Sequence, residues 1–553
     1  MVSLMYTVAS GQDLGNLKDA RPLGYSGSVS LRLNSYSTNR ENSVRDPFFW
    51  TITGSPTLSV YGVTLPFYFS FSQKNRDYRQ PFNQFGLSPY YKWLRLHLGY
   101  RNISFSDFTL SNHTFLGAGV EAEPGIFRFG FVYGRFLKAI NQPLDTLSGD
   151  IVTPTFARRG VAAKIGVGTY NNFVDLIFFK GEDDSTSVDT PLQFSGVKPA
   201  ENLVYGIKSR QVFLKIFSFD LDYGFSIYSN DITAAEISAD DYKIPVVVSA
   251  FMKPRASTTF LMAGKAGLAV RLKILSLRLQ YTRVEPDYQS MGSYFLNSDY
   301  ENITIAPSWS MLRSKVRISG SVGLQRNNLF SDKINNTNRK INSLNVSYMP
   351  NAKFNMTAFY TNYRINQERN LRMSFDTLRL EQFSDNLNLN SMYTLGNKER
   401  RHMFNAGVNY QVLRDDNNLS ETNNNTTSMN PTIGYRFQNT PTKFGIHASI
   451  NLNQFTTDLN ETMRWGYTLG TNKGLLDNQL TLNGSATYFT ISVDGSSQSS
   501  ALAFNGRGSY RIKEKHTIDL SLGLVTRRQV NNDDGAVKDM LANFGYTYNF
   551  GNN

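Results

Sequence analysis

The sequence predicts an all-β protein, a single transmembrane antiparallel β-barrel of about 26 strands, with 24 strands as the alternative. Three observations predict this fold. Apolar and polar residues alternate with a period of two, the connections alternate between short and long, and the last segment is an aromatic strand. Aromatic residues make up 13% of the chain and charged residues only 18%. A barrel fits both values, because only every second residue of its strands meets lipid.

The alternation is clearest in residues 275–282, 316–325, 444–452 and 517–524, where every second residue is apolar. Soluble sandwiches also alternate, but their strands are usually about five or six residues long. The runs in this chain reach about nine to twelve residues, the length with which a tilted strand crosses a bilayer. The pattern therefore favours a membrane barrel over a sandwich.

Composition excludes several other classes. The chain has no apolar stretch of roughly 18 residues, so it is not a helical membrane protein. It has no cysteine, which excludes disulfide frameworks and cysteine-based zinc sites. The net charge of +13 comes from basic residues scattered singly along the strands, not from a basic helix or run. We therefore expect no nucleic-acid partner, and we expect Lys and Arg to face the lumen or lipopolysaccharide.

The connections between strands provide the second observation. Short turns are predicted at residues 123–125, 349–353, 396–399, 438–441 and 513–515. Longer polar loops are predicted at residues 139–158, 181–202, 230–257, 286–300, 326–339 and 415–427. Outer-membrane barrels have short periplasmic turns and long extracellular loops, so this pattern predicts the cell outer membrane. Counting back from a periplasmic C-terminus, the alternation of turns and loops fails between residues 26 and 113, where one strand is missed or miscounted.

The chain divides into a short N-terminal part and one large domain. Residues 1–11 are interpreted as the remnant of a signal peptide, with a frayed terminus as the alternative. Residues 12–25 form a short periplasmic segment, and residues 26–553 form the barrel with its long extracellular loops. The segment before the first strand has no room for a plug domain or a periplasmic module.

The C-terminal segment carries aromatic side chains on one face, at Phe544, Tyr546, Tyr548 and Phe550. It resembles the terminal signal by which outer-membrane proteins are recognised by the barrel assembly machinery. In that pattern the final aromatic residue ends the chain, whereas three residues follow Phe550 here. The resemblance implies the assembly machinery as a partner. The alternative is an ordinary amphipathic strand.

One segment, residues 81–93, departs from the strand pattern. Through the spacing of Gly86, Pro89, Trp93 and Gly99, residues 60–135 resemble outer-membrane barrels of the Bacteroidota phylum, a resemblance that implies no assigned chemistry. The segment is too irregular for a lipid-exposed strand, so it must be buried or line water. Two placements are open: a loop folded into the lumen, or an ordered cap at one rim. The lumen is favoured, because Arg76, Arg79, Lys92, Arg95 and Arg101 would otherwise cluster on one rim. The residues predicted to form such a constriction or plug are Phe82, Phe85, Gly86, Pro89, Tyr91, Lys92 and Trp93.

Three strand arginines, Arg32, Arg278 and Arg317, are predicted to face the lumen. Charged rings set the preference of a pore, so these residues are candidates for the selection of anionic solutes. The alternative is that they pair with luminal acids such as Asp519 and only fill space.

No motif for catalysis or cofactor binding is apparent. The five histidines, His97, His113, His402, His447 and His516, have neither metal-ligand spacing nor a nucleophile motif. The acidic residues 182–184 and 240–241 lack a calcium-loop spacing and are interpreted as solvated loop charge. The sequence therefore predicts no enzyme, no metal and no cofactor.

The predicted width of the barrel bears on function. Barrels of 16 to 18 strands already leave an aqueous channel, so something must occupy a lumen of about 26 strands. The first hypothesis is a solute channel narrowed by its own loops. The alternative is a non-catalytic structural subunit of a larger outer-membrane complex for protein export, nutrient uptake or barrel assembly, and an outer-membrane enzyme is a distant third. Expected partners are lipid and lipopolysaccharide, the assembly machinery and further outer-membrane or periplasmic subunits.

Overall fold

The computed structural model describes residues 22–41, 45–73, 83–141, 154–188, 196–238, 246–369, 380–417, 425–530 and 535–551. These residues form 28 β-strands and a short α-helix, α1 (Val246–Ser249). The strands are β1 (Leu23–Thr38), β2 (Phe48–Gly54), β3 (Thr57–Val60), β4 (Val63–Ser72), β5 (Gln84–Leu87), β6 (Tyr90–Tyr91), β7 (Leu94–Ile103), β8 (His113–Ala122), β9 (Phe127–Leu137), β10 (Ala157–Gly168), β11 (Phe173–Asp184), β12 (Glu201–Phe213), β13 (Phe217–Ser229), β14 (Thr258–Arg271), β15 (Leu275–Val284), β16 (Tyr300–Met311), β17 (Val316–Arg326), β18 (Asn335–Asn351), β19 (Phe354–Arg369), β20 (Leu380–Gly396), β21 (Arg400–Asn417), β22 (Thr426–Asn439), β23 (Phe444–Thr457), β24 (Glu461–Leu475), β25 (Leu480–Val493), β26 (Ser496–Ile512), β27 (His516–Gln529) and β28 (Val537–Gly551). The predicted signal-peptide remnant lies outside the described residues, and β1 begins three residues before the predicted start of the barrel.

The strands form one closed antiparallel sheet. Apart from two interrupted positions, each strand pairs with its neighbours in sequence, and β28 pairs with β1 through 13 residue pairs, from Ser26↔Gly551 to Thr38↔Asp539. Two positions in the wall are occupied by interrupted strands. β2 and β3 both lie between β1 and β4, and β5 and β6 both lie between β4 and β7. The wall therefore has 26 strand positions, and the predicted fold and strand number are confirmed.

Proline explains both interruptions. Pro56 lies between β2 and β3, and Pro89 lies between β5 and β6. Proline has no N–H to give to the sheet, so regular pairing stops at each of them. Both breaks lie in the region where the alternation of turns and loops failed in the sequence, because an interrupted strand reads as two short segments.

The two faces of the wall differ in chemistry. On β9 the aromatic side chains of Phe127, Phe129, Phe131 and Tyr133 are exposed on the outer face, while Val132 is fully buried on the inner face. Apolar outer residues recur around the wall, as on β27 with Leu520, Leu522 and Leu524 (each 39–56% exposed). An exposed apolar band around a closed barrel is the surface that meets lipid in an outer membrane. No helix in the described ranges is long and apolar enough to cross a membrane.

The ends of the barrel also differ. β1 begins and β28 ends at the same end, which carries all five predicted short turns. The described parts of the six predicted long loops lie at the opposite end, although that end also has short connections such as Asp494–Gly495. By the rule for outer-membrane barrels, the turn end is periplasmic and the loop end is extracellular. The loop before β14 packs Val248 and Met252 against Leu203 and Ile227 on the outer face.

Candidate functional site

Two extracellular connections fold into the lumen. Inner loop A is residues 104–112, between β7 and β8, and inner loop B is residues 285–299, between β15 and β16. Together we call them the luminal plug. Phe105 and Leu110 of loop A and Met291 of loop B belong to one hydrophobic core with inward side chains of the wall. Those wall residues are Ile103, Phe115, Val132, Phe136, Ala162, Ile177, Phe179 and Val204.

Loop A is held by charged groups of the wall. The Ser106 hydroxyl donates to Asp222 Oδ1 at 2.5 Å, and the Asp107 backbone N–H donates to Asp222 Oδ2 at 3.0 Å. Lys265 forms an ion pair with Asp107. Lys208 Nζ donates to the Phe105 carbonyl at 3.2 Å. These charge-assisted bonds fix loop A against β12, β13 and β14.

Loop B joins loop A to the same part of the wall. The buried Tyr288 hydroxyl donates to the Phe108 carbonyl at 2.7 Å, and Ser290 Oγ donates to the Thr109 carbonyl at 2.5 Å. The Met291 backbone N–H donates to Asn202 Oδ1 on β12 at 3.0 Å. Burial raises the pKa of Tyr288, so its hydroxyl keeps its proton and remains a donor.

Inward glycines of the wall make room for the plug, among them Gly130, Gly181, Gly206 and Gly224. A Cβ atom on Gly224 would lie 2.5 Å from Tyr288 Oη and 2.9 Å from Phe108 Cβ. A Cβ atom on Gly206 would lie 2.6 Å from Thr109 Cγ2. The loops therefore approach the backbone of the wall more closely than any side chain would allow. The plug is a packed and hydrogen-bonded part of the fold.

The wall from β20 through β28 to β1 has a different inner face. Strand pairing places amide, hydroxyl and arginine side chains inward there, and it places the apolar residues outward. A cavity of about 290 Å³ lies on this inner face, and its lining includes Arg436, His447, Asn472, Asn483, Asn505, Arg507 and Asn543. The lumen thus has one side filled by the plug and an opposite side that is polar.

The segment predicted to enter the lumen does not do so over the residues described. Gln84–Leu87 and Tyr90–Tyr91 are β5 and β6, paired with β4 and β7 in the wall. Phe85 is 50% exposed and pairs with Phe69 on the outer face, whereas Tyr90 faces inward. Lys92 and Trp93 form the periplasmic turn, and Phe82 lies outside the described residues. For residues 83–93, both predicted placements, the lumen loop and the rim cap, are therefore corrected to an interrupted wall strand and its turn.

The close packing of β5 against β7 explains why glycine stands at positions 86 and 99. Gly86 and Gly99 face each other across β5 and β7, and a Cβ atom on Gly99 would lie 2.6 Å from the Phe85 carbonyl oxygen. Gly99 also has a φ of +85°, a conformation that other residues rarely adopt. The close approach brings the two backbones together where Pro89 has disturbed the ladder.

The three predicted luminal arginines all face inward and are exposed. Arg278 and Arg317 lie two strands apart near the periplasmic end, whereas Arg32 lies at mid-height on β1. They do not form one ring. No ion pair to any of them occurs among the described residues. Asp519, the acid suggested as a partner, is instead 3.3 Å from Arg507.

The aromatic residues of the C-terminal strand face outward. Phe544, Tyr546, Tyr548 and Phe550 on β28 lie on the face opposite Asn543 and Thr547, and Tyr548 and Phe550 contact each other with ring centroids 5.7 Å apart. β28 closes the barrel against β1, so this strand is essential to the sheet.

One polar constellation was missed in the sequence. Ser88 Oγ is 3.1 Å from His97 Nδ1, and His97 Nε2 is 3.0 Å from Glu121 Oε2. A nucleophile, a base and an acid within hydrogen-bond distance are the groups of a hydrolase triad. His97 is, however, only 6% exposed, and the three residues tie the strand broken at Pro89 to β7 and β8. The one signal in the sequence for this constellation is that His97 lies close to the irregular segment.

The described residues contain no cluster of three His, Cys, Asp or Glu that could hold a metal ion. The prediction of solvated charge at residues 182–184 is wrong for Asp183. This residue is buried, and its carboxylate is bound by Arg158 Nε at 2.7 Å. Residues 240–241 lie outside the described ranges.

No protein-family model and no curated protein sequence matches the chain. Among solved structures, it is similar to Acinetobacter baumannii OccAB2, with 10% identity and a TM-score of 0.31 over 69% of this chain and 98% of that one. It is also similar to Pseudomonas aeruginosa OccK11 (OpdR), with 9% identity and a TM-score of 0.30 over 97% of both chains. The P pilus usher (PapC) translocation pore shares 12% identity, with a TM-score of 0.25 over 96% of this chain and 99% of that one. Such values assign no family, and the description of this chain as a barrel rests on its own strand pairing.

Proposed function

We propose that the protein is an outer-membrane channel for small polar solutes, narrowed by its own luminal plug. One observation carries the proposal: two hydrogen-bonded loops fill one side of a 26-strand lumen, and the opposite side is lined with polar groups. A barrel of this size would otherwise leave a wide hole, and the plug reduces it to a passage along the polar wall.

We propose further that the passage prefers anions. Arg32, Arg278 and Arg317 support this, because each faces the lumen with an exposed guanidinium that has no ion pair within the described ranges. Unpaired positive charge along a pore lowers the energy of an anion more than that of a cation. The proposal does not require a ring, since the three charges act on the same lumen from β1, β15 and β17.

Planar bilayer recording tests both proposals. Purified protein should show discrete conductance steps, and a KCl gradient should give a reversal potential shifted toward that of chloride. The variant R32Q/R278Q/R317Q should keep the conductance steps and lose most of that shift. A silent bilayer, with partner proteins retained in mild detergent, would contradict the channel and favour a structural subunit.

We propose two further partners and a source, none of which the channel itself requires. The outward aromatic residues of β28 support recognition by the barrel assembly machinery, and the apolar outer band supports contact with lipid and lipopolysaccharide. The spacing of Gly86, Pro89, Trp93 and Gly99 supports a Bacteroidota source.

A further inference from the structure

A row of hydrogen-bonding side chains crosses the polar side of the lumen. Each of six adjacent strands, from β24 through the seam between β28 and β1, contributes one inward residue, and each residue is the pairing partner of the next. The row consists of Asn472, Asn483, Arg507, Ser521, Asn543 and Asn34. None of the six is buried. We call this set the amide row.

The row lies opposite the plug. The wall residues that hold the plug, Asn202, Asp222 and Lys265, are on β12, β13 and β14. The wall has 26 strand positions, so the strands directly opposite these three are β25, β26 and β27. They carry the middle of the row. The part of the lumen that the plug leaves open therefore has the amide row on its far wall.

The chemistry of the row is that of a neutral hydrogen-bonding surface. A carboxamide offers two N–H donors and a carbonyl acceptor, which complement the oxygens and O–H groups of hydroxyls. The single cation, Arg507, is balanced by Asp519 at 3.3 Å. Gly445 faces Asn472, and a Cβ atom there would lie 2.5 Å from Asn472 Oδ1, so this amide lies along the wall. Adjacent strands are about 4.8 Å apart, so the row offers a polar group at regular steps over its whole length.

We propose that the amide row binds a neutral, hydroxyl-rich chain, an oligosaccharide, as it crosses the membrane. The inference rests on the proposed channel and names an uncharged solute class, beside the small anions that the luminal arginines favour. Regularly spaced donors and acceptors match the hydroxyl groups of successive sugar rings. A surface that only hydrated the pore would not distinguish a sugar from another polymer of the same size.

The test compares a neutral maltooligosaccharide with a polyethylene glycol of matched hydrodynamic radius in single-channel recordings. The glycol enters the same space but has no donors along its chain. We expect the sugar to block the current for longer, and N472A/N483A/N543A to shorten the sugar blockades about tenfold or more, with the glycol unaffected. The matched control, N388A/N390A/N405A, removes three luminal amides of β20 and β21 and should leave the sugar blockades unchanged.

Calorimetry on the detergent-solubilised protein separates the two proposals. Sugar binding that the N472A/N483A/N543A variant weakens would support the row even if no current were seen, and only the channel would then fail. Conductance with equal blockades by sugar and glycol, or with blockades unchanged in that variant, would overturn the row and leave the channel standing.

Discussion

At the scale of single residues, His97 shows how a buried polar group can be interpreted in two ways. Its two ring nitrogens contact Ser88 and Glu121, and it is only 6% exposed. We interpret these bonds as structural, because they join the strand broken at Pro89 to its neighbours. His97→Ala would leave two polar partners without their bonds, and we expect it to lower the free energy of unfolding by about 1–3 kcal/mol in denaturant titrations.

The same residues allow a sharp test against catalysis. A fluorophosphonate probe labels an activated serine, and we expect no label on Ser88 of the native protein. Labelling of Ser88 that His97→Ala abolishes would show a hydrolase triad and end the structural interpretation.

Gly224 is the residue on which the plug depends most directly. Because a Cβ atom there would lie 2.5 Å from Tyr288 Oη, Gly224→Ala must shift Tyr288, and the bond that joins the two inner loops is then weakened. We expect flickering single-channel currents from a plug that has loosened. The control is Gly506→Ala, where a Cβ atom would meet nothing within 4 Å, and it should record like the native protein. Steady, unchanged current in Gly224→Ala would mean that the plug does not bound the passage.

At the scale of elements, the period-two pattern was sufficient to predict the strands. Every second residue of a membrane strand must be apolar, so β15 and β17 are visible in the sequence to within two residues, whereas β23 and β27 continue five residues beyond the predicted alternation. The sequence pattern did not predict which connections fold into the lumen. Residues 286–300 were predicted as a loop, but nothing local indicates that Tyr288 and Met291 turn inward. The apolar residues of loop A, Phe105, Phe108 and Leu110, were the available signal, because a solvated loop has no need for them.

The aromatic residues of β28 have two possible roles, to stabilise the strand and to act as an assembly signal, and one variant distinguishes them. The variant F544S/Y546S loses apolar area that faces lipid, so we expect less folded protein in cells, measured as the fraction that migrates differently without boiling. The control, Asn543→Ser, changes the inward face of the same strand. If the aromatic residues are a signal, F544S/Y546S will still refold in detergent micelles without any machinery. Equal failure in micelles and in cells would mean that these side chains only stabilise the strand.

At the scale of the whole molecule, closure of the barrel wall and narrowing of the lumen depend on different parts of the chain. The wall closes through strand pairing alone, with 13 residue pairs between β1 and β28, whereas inner loops A and B fill one side of the lumen. The hydrogen bonds of the wall do not pass through the plug. Wall closure and narrowing of the lumen can therefore be disrupted independently.

Replacing residues 104–112 with a short Gly-Ser connection should remove the core contacts of Phe105 and Leu110 and leave loop B without its partner. We expect conductance to rise severalfold, because barrels of 16 to 18 strands already form open channels and this wall has 26. Cells that carry the variant should admit large antibiotics. The control replaces residues 458–460, which join β23 to β24 at the same end and, among the described residues, hydrogen-bond only within their own turn and to Asn425, and should leave conductance unchanged. Native conductance in the loop A variant, with a folded barrel on the gel, would show that the lumen is narrowed by something other than this plug.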